Sequence, residues 1–142
     1  MSFIPSVFII NEITDPKQRK VIERIISEKK LIVYEHKAEE YADIMSLKVK
    51  NLSFEDCSVW YYAMKLDGIL LTGDGRLRKA AKNSGIEVKG IFFIIDRLVE
   101  HNKINKTEAI EKLRLLSKNN QRLPKSEIIK RIEIWSKNRK LF

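Results

Sequence analysis

The chain of 142 residues has one cysteine, Cys57. An internal disulfide is therefore excluded, and a reducing compartment suits the sequence. It has two histidines, His36 and His101, far apart in the sequence. No Cys/His cluster has the spacing of a zinc site. Three prolines and five glycines are too few for a flexible or proline-rich linker. No apolar run is long enough to span a bilayer. The N-terminus lacks the basic stretch, apolar run and small-residue site of a secretory signal. Together these absences lead to the expectation of a cytoplasmic protein with no membrane partner.

Acidic residues are scarce in one region only. Residues 1–100 hold 16 basic and 15 acidic groups, whereas residues 101–142 hold 12 basic and 4 acidic groups. Nearly all of the net charge of +9 therefore lies in the C-terminal segment. A basic segment of that kind suits either a polyanionic partner such as nucleic acid or a solvated helical face. With 44% apolar residues the chain can bury a core. The charge shift predicts a core over 1–100 and a basic helical extension over 101–142.

Helix and strand signals alternate along the chain. Asp15, Pro16 and Gln18 open a helix as cap, first residue and capping-box partner, with Val21, Ile22, Ile25 and Ile26 as its apolar stripe. Leu31 to Tyr34 reads as a strand. Residues 38–49 read as a helix with Tyr41, Ile44, Met45 and Leu47 inward. Leu52 and Ser53 open a helix that runs to about Leu66. Ile69, Leu70 and Leu71 form a short apolar strand, and Arg76 to Ser84 a helix stopped by Gly85. Ile86 to Lys89 is a second short strand. Ile91 to His101 is helical. Asn105 and Glu108 form a capping box ahead of a helix over 106–118, and Pro124 starts a last helix over 124–138 with Ile128, Ile132 and Trp135 on one stripe. The alternation predicts an α/β fold with a mostly parallel sheet.

Three carboxylates stand where chemistry is possible. Asp74 follows the apolar strand within Thr72-Gly73-Asp74-Gly75, and a basic helix with Arg76, Arg78 and Lys79 starts at once. That places it at the carboxyl end of a strand, where open α/β sheets hold ligands, although it could equally cap the following helix. Asp56 shares a helical stripe with Val59, Trp60 and Ala63. It either returns a capping-box bond to Ser53 or holds a cation. Glu12 lies in "IPSVFIINEITDP", a segment readable as a strand or as a short helix from Val7 to Ile13 behind Ser6. Asp96, in the helix after Gly90, is expected to pair with a base or face solvent.

The stretch from Asp56 to Arg97 resembles the second half of a PIN domain, a metal-dependent ribonuclease fold. The resemblance lies in Leu52-Ser53, Asp56, Ala63, an apolar strand, Thr72-Gly73-Asp74, Leu77-Arg78, Ala80 or Ala81, Gly85, Val88 and Gly90. "VFIINEI" is similar to the short helix of that family that carries an acid, and "NNQRLPKSEIIKRIEIW" to a C-terminal extension of one of its branches. The resemblance implies a three-layer α/β/α core. It implies Glu12, Asp56 and Asp74 as catalytic metal-site acids for Mg²⁺ or Mn²⁺, with Thr72 in support. Arg76, Arg78 and Lys79 are then placed to engage RNA phosphates. PIN domains begin with a strand that ends in an aspartate. Here Phe3-Ile4-Pro5 matches the family's second strand, so one strand–helix unit of about 30 residues is missing from the pattern. The resemblance therefore implies weak or absent cleavage by this chain.

It also implies a candidate role as the toxin of a toxin–antitoxin pair, with an antitoxin protein as partner. A homodimer is expected by the same likeness, with Trp60, Tyr61 and Tyr62 offering either aromatic surface or core, the core being expected for at least Trp60. Two other readings compete. One is a non-catalytic module that binds RNA or protein on the same scaffold. The other is a helix-turn-helix DNA binder built from the last two helices, against which Ile128, Ile132 and Trp135 look suited to packing.

Overall fold

A computed structural model describes residues 4–47 and 51–137. It divides into two compact units, residues 1–89 and 90–142. Phe3, the end of the helix expected over 38–49, and the final residue of the helix expected over 124–138 lie outside the described residues.

The first unit is built around α4, Phe54–Lys65. Before it come α1 (Val7–Asn11), α2 (Pro16–Ser27) and α3 (Ala38–Ser46). After it come β1 (Leu70–Leu71), α5 (Gly75–Asn83) and β2 (Val88–Lys89). The helix α4 packs against α1, α3, α5 and β1. Strands β1 and β2 pair in parallel, Leu70 with Val88 and Leu71 with Lys89, with α5 as the crossover. The core joins Ile44, Leu52, Cys57, Trp60, Leu70, Leu77, Ala81 and Val88. The elements α3, α4, β1, α5 and β2, and Leu52 ahead of α4, supply these side chains.

Local signals explain most boundaries. The Asp15 carboxylate accepts the Gln18 N–H at 2.9 Å, and Pro16 supplies a pre-set φ at the first helical position. After α4, Asp67 takes the left-handed conformation at φ 50°, and Gly68 N–H closes onto the Ala63 carbonyl at 2.9 Å. After α5, Gly85 has φ 87°, a region that a side chain resists.

Two expectations are corrected. Leu31–Tyr34 is not a strand: Tyr34 makes one isolated parallel bridge to Ser6, and its N–H donates to the Pro5 carbonyl at 2.9 Å. A single bridge offers too little pairing to extend a ladder. The inward stripe of α3 is also rotated. Ile44 is buried as expected, but Tyr41 and Met45 are 43% and 51% exposed, and Glu40, at 5%, turns inward instead. The stripe of α2 exists but covers nothing completely: no α2 residue is buried, and Val21 is 47% exposed. The segment before Glu12 resolves into the short helix α1, with Ile9 and Ile10 N–H groups donating to the Ser6 carbonyl.

The second unit holds α6 (Ile91–Glu100), α7 (Lys106–Asn119) and α8 (Lys125–Lys137). Its core comprises Ile95, Ala109, Ile110, Leu113, Ile128 and Trp135, with Leu116, Leu123 and Ile132 packed against them. Asn105 and Glu108 form the expected box, with bonds of 2.8 and 3.0 Å. Asp96 finds its base. Both of its carboxylate oxygens accept from Arg131, at 2.8 Å each, in the bidentate geometry that a guanidinium favours. The Glu127 carboxylate also binds Arg131 at 2.8 Å, and the guanidinium lies over the Phe92 ring at 4.6 Å. Although the charge shift falls after residue 100, packing groups α6 with the two helices that follow it.

Candidate functional site

Asp74 stands at the carboxyl end of β1 and caps α5. One of its carboxylate oxygens, Oδ1, accepts the Leu77 N–H at 2.8 Å, and its own N–H donates to Thr72 Oγ1 at 3.1 Å. Thr72 thus holds the Asp74 backbone by a short hydroxyl bond across Gly73. The side chain of Asp74 is exposed, and its second oxygen has no protein partner among the described residues. Arg76 and Lys79 are exposed on α5 and Arg78 is half-buried. None of the three forms an ion pair among the described residues.

Asp56 sits in the first turn of α4. Its N–H donates to Ser53 Oγ at 3.0 Å and its Oδ2 accepts the Ser53 N–H at 3.3 Å, so both halves of the capping box are present. This bond engages one carboxylate oxygen and leaves the other without a protein partner among the described residues. Glu12 follows the end of α1, is exposed, and carries no side-chain bond among the described residues.

All three acids lie in the first unit, Glu12 just after α1, Asp56 in α4 and Asp74 just before α5, and α4 touches both α1 and α5. Among the described residues, no three His, Cys, Asp or Glu side chains are gathered to hold one metal ion. The donor chemistry suits a hard divalent cation, which takes carboxylate oxygens and water. Asp56 and Asp74 each commit one oxygen to the start of a helix, where the unpaired N–H groups and the helix dipole favour a carboxylate.

A second polar cluster went unseen in the sequence. The Tyr62 hydroxyl donates to Glu40 Oε2 at 3.1 Å and bonds His36 Nδ1. Lys65 Nζ reaches the same Glu40 oxygen at 3.0 Å, and the Lys37 N–H donates to Glu40 Oε1 at 3.1 Å. On the far side of the ring, His36 Nε2 lies 3.3 Å from Ser6 Oγ, which lies 3.0 Å from Ser58 Oγ. Burial pushes Glu40 up, but the Lys37 N–H, Lys65 and Tyr62 outweigh it and hold the carboxyl below its ordinary range. Burial pushes His36 down, against the pull of Glu40. Burial, then Glu40, pushes Tyr62 up. Ser6 and Ser58 are themselves buried, so this cluster joins the start of α1 and the segment before α3 to α4. Its residues are scattered over 60 positions of neutral-looking sequence; the one local signal is Glu40 three residues after Lys37.

The aromatic run on α4 is mostly internal. Trp60 and Tyr62 are buried, and Trp60 Nε1 donates to Ser84 Oγ at 3.1 Å. Tyr61 is half-buried. Among the described residues no helix is long and apolar enough to cross a membrane.

No curated protein matches the chain. A family model described as PIN domain matches residues 2–137 and so spans both units. That family is one of nucleases, generally acting on RNA with divalent metal ions. The chain belongs to the PIN domain family.

Proposed function

We propose that the chain is a PIN-type ribonuclease, with Asp74, Asp56 and Glu12 as its carboxylates for Mg²⁺ or Mn²⁺. The observation that carries this reading is Asp74: exposed, at the carboxyl end of a parallel strand, with one oxygen fixed by Leu77 and the other open. A bound divalent ion would neutralise phosphate charge and lower the pKa of a bound water. The chain's own residues would do the rest. Thr72 fixes the backbone of Asp74, Ser53 fixes that of Asp56, and Arg76, Arg78 and Lys79 attract the RNA backbone beside them.

No three acids are gathered among the described residues, and this reading accordingly expects low metal affinity and weak cleavage. The same observation favours a second reading, a PIN scaffold that binds RNA or protein without cutting. An antitoxin partner, a toxin role and a homodimer rest on family likeness alone. The test is RNA cleavage in Mn²⁺ by the chain and by Asp74→Asn. The nuclease reading expects slow cleavage that the substitution abolishes. Cleavage that persists in Asp74→Asn overturns the site assignment. Metal-independent, salt-sensitive RNA binding with no cleavage favours the second reading.

A further inference from the structure

We infer that the turn end of the α7–α8 hairpin is a separate grip for the phosphate backbone of RNA, formed by Lys118, Arg122 and Lys125. Lys118 lies in the last turn of α7, Lys125 is the first residue of α8, and Arg122 lies on the connection between them. All three are exposed, and none forms an ion pair among the described residues. The acid nearest them in sequence, Glu127, is engaged with Arg131 at 2.8 Å and does not offset their charge.

The connection is ordered by its own bonds. Asn120 Oδ1 accepts the Arg122 N–H at 3.1 Å, the Asn120 carbonyl accepts the Leu123 N–H at 3.3 Å, and Leu123 packs on the unit's core. The backbone of Arg122 is thereby fixed between Asn120 and Leu123, and its side chain is exposed. The other exposed residues from Asn119 to Pro124 are Asn119, Asn120, Gln121 and Pro124, which bring no negative charge.

Structural duty explains only part of this cluster. Lys118 complements the negative end of α7. Lys125 does the opposite, since a cation at the first residue of α8 faces the positive end of that helix. Three like charges within eight residues, one of them against a helix dipole, have a physical reason when an anion joins them. By contrast, Arg131 is consumed internally by Asp96 and Glu127. No exposed aromatic side chain lies in this stretch of sequence, so the grip reads backbone charge and not bases.

This inference rests on RNA being the partner in the nuclease reading, but its test does not need cleavage. Binding of the full chain to fluorescein-labelled oligouridine is measured by anisotropy in EDTA across a salt series, with duplex DNA as a parallel probe. Three proteins are compared: the chain itself, K118Q/R122Q/K125Q, and K17Q/K20Q/R24Q, which removes three equal charges from α2. The hairpin variant is expected to bind RNA at least about tenfold more weakly, with a salt slope flatter by about 2. The α2 variant is expected to stay within about twofold. Arg122→Gln alone, on the exposed connection, serves where the triple variant folds poorly, and should flatten the slope by about 0.7. Unchanged RNA binding in the hairpin variants overturns the grip. So does an equal loss in the α2 variant, or an effect confined to duplex DNA. If the grip holds and the nuclease reading fails, RNA is bound in Mn²⁺ but stays intact. If the grip fails and the nuclease reading holds, short RNA is still cut.

Discussion

The carboxylate of Asp74 accepts the backbone N–H of Leu77 at 2.8 Å, so the residue proposed to hold a metal also starts a helix. The two duties separate by substitution. Asparagine caps a helix about as well as aspartate, whereas alanine does not. Asp74→Asn is expected to keep stability within about 0.5 kcal/mol of the parent, and Asp74→Ala to lose about 1 kcal/mol. Both should lose any metal-dependent cleavage. Urea unfolding beside a cleavage assay checks the pair. A stability loss for asparagine as large as that for alanine would show that the charge, and not the cap, matters to folding.

The Glu40–Tyr62–His36 cluster makes stability depend on pH. Burial depresses the folded-state pKa of His36 below its unfolded value of about 6.5. A depressed value means that the folded state resists protonation. The stability contribution is therefore complete above the unfolded value and is lost as pH falls through the folded one. Glu40, also held below its ordinary range, adds a loss of the same sign at lower pH. Urea midpoints should fall between pH 7.5 and pH 5.5, and His36→Gln should flatten that fall. A midpoint independent of pH over this window contradicts the assignment.

Tyr62→Phe removes the hydroxyl that joins Glu40 to His36 while keeping the ring between Tyr34 and Tyr61. Loss of hydrogen bonds to a buried network of this kind is expected to cost about 1–2 kcal/mol. The measurement is the change in unfolding free energy at pH 7.5. A neutral result would mean that Glu40 is satisfied by Lys65 and the Lys37 N–H alone.

In the second unit, Asp96 and Arg131 are 35 residues apart and meet by two bonds of 2.8 Å. Arg131→Met keeps much of the stem over Phe92 and removes the fork. It leaves Asp96, itself half-buried, without that partner and is expected to lower unfolding free energy by about 2 kcal/mol. Arg131→Lys should recover little, because an ammonium cannot make the paired bonds. Full rescue by lysine would show that charge alone, and not planar geometry, holds the contact.

Signals confined to a few residues were legible in the sequence. The Ser53–Asp56 and Asn105–Glu108 capping boxes, Pro16 at its helix start and Gly85 at its helix end appear where a three- or four-residue code places them, whereas of the box expected for Asp15 and Gln18 only the bond to the Asp15 carboxylate forms among the described residues. The strand ending before Thr72 was legible from its apolar run and flanking glycines. The rotated face of α3 was not, because the burial of Glu40 depends on Tyr62 and Lys65, 22 and 25 residues away. Tyr41 and Met45 satisfied the same periodicity, and periodicity alone cannot choose between neighbouring stripes. Leu31–Tyr34 carried strand propensity without a partner long enough to pair with it. Asp56 and Asp74 were legible as helix starts and as acids. Their relation to Glu12 depends on tertiary packing, for which no short spacing is a guide.

The account turns on whether these acids hold a divalent ion, and Mn²⁺ binding to the full chain, followed by electron paramagnetic resonance, tests it most directly. Saturable binding with an affinity in the millimolar range is expected, together with its loss in the folded Asp74→Asn protein. No saturable binding, or binding that survives that substitution unchanged, contradicts it.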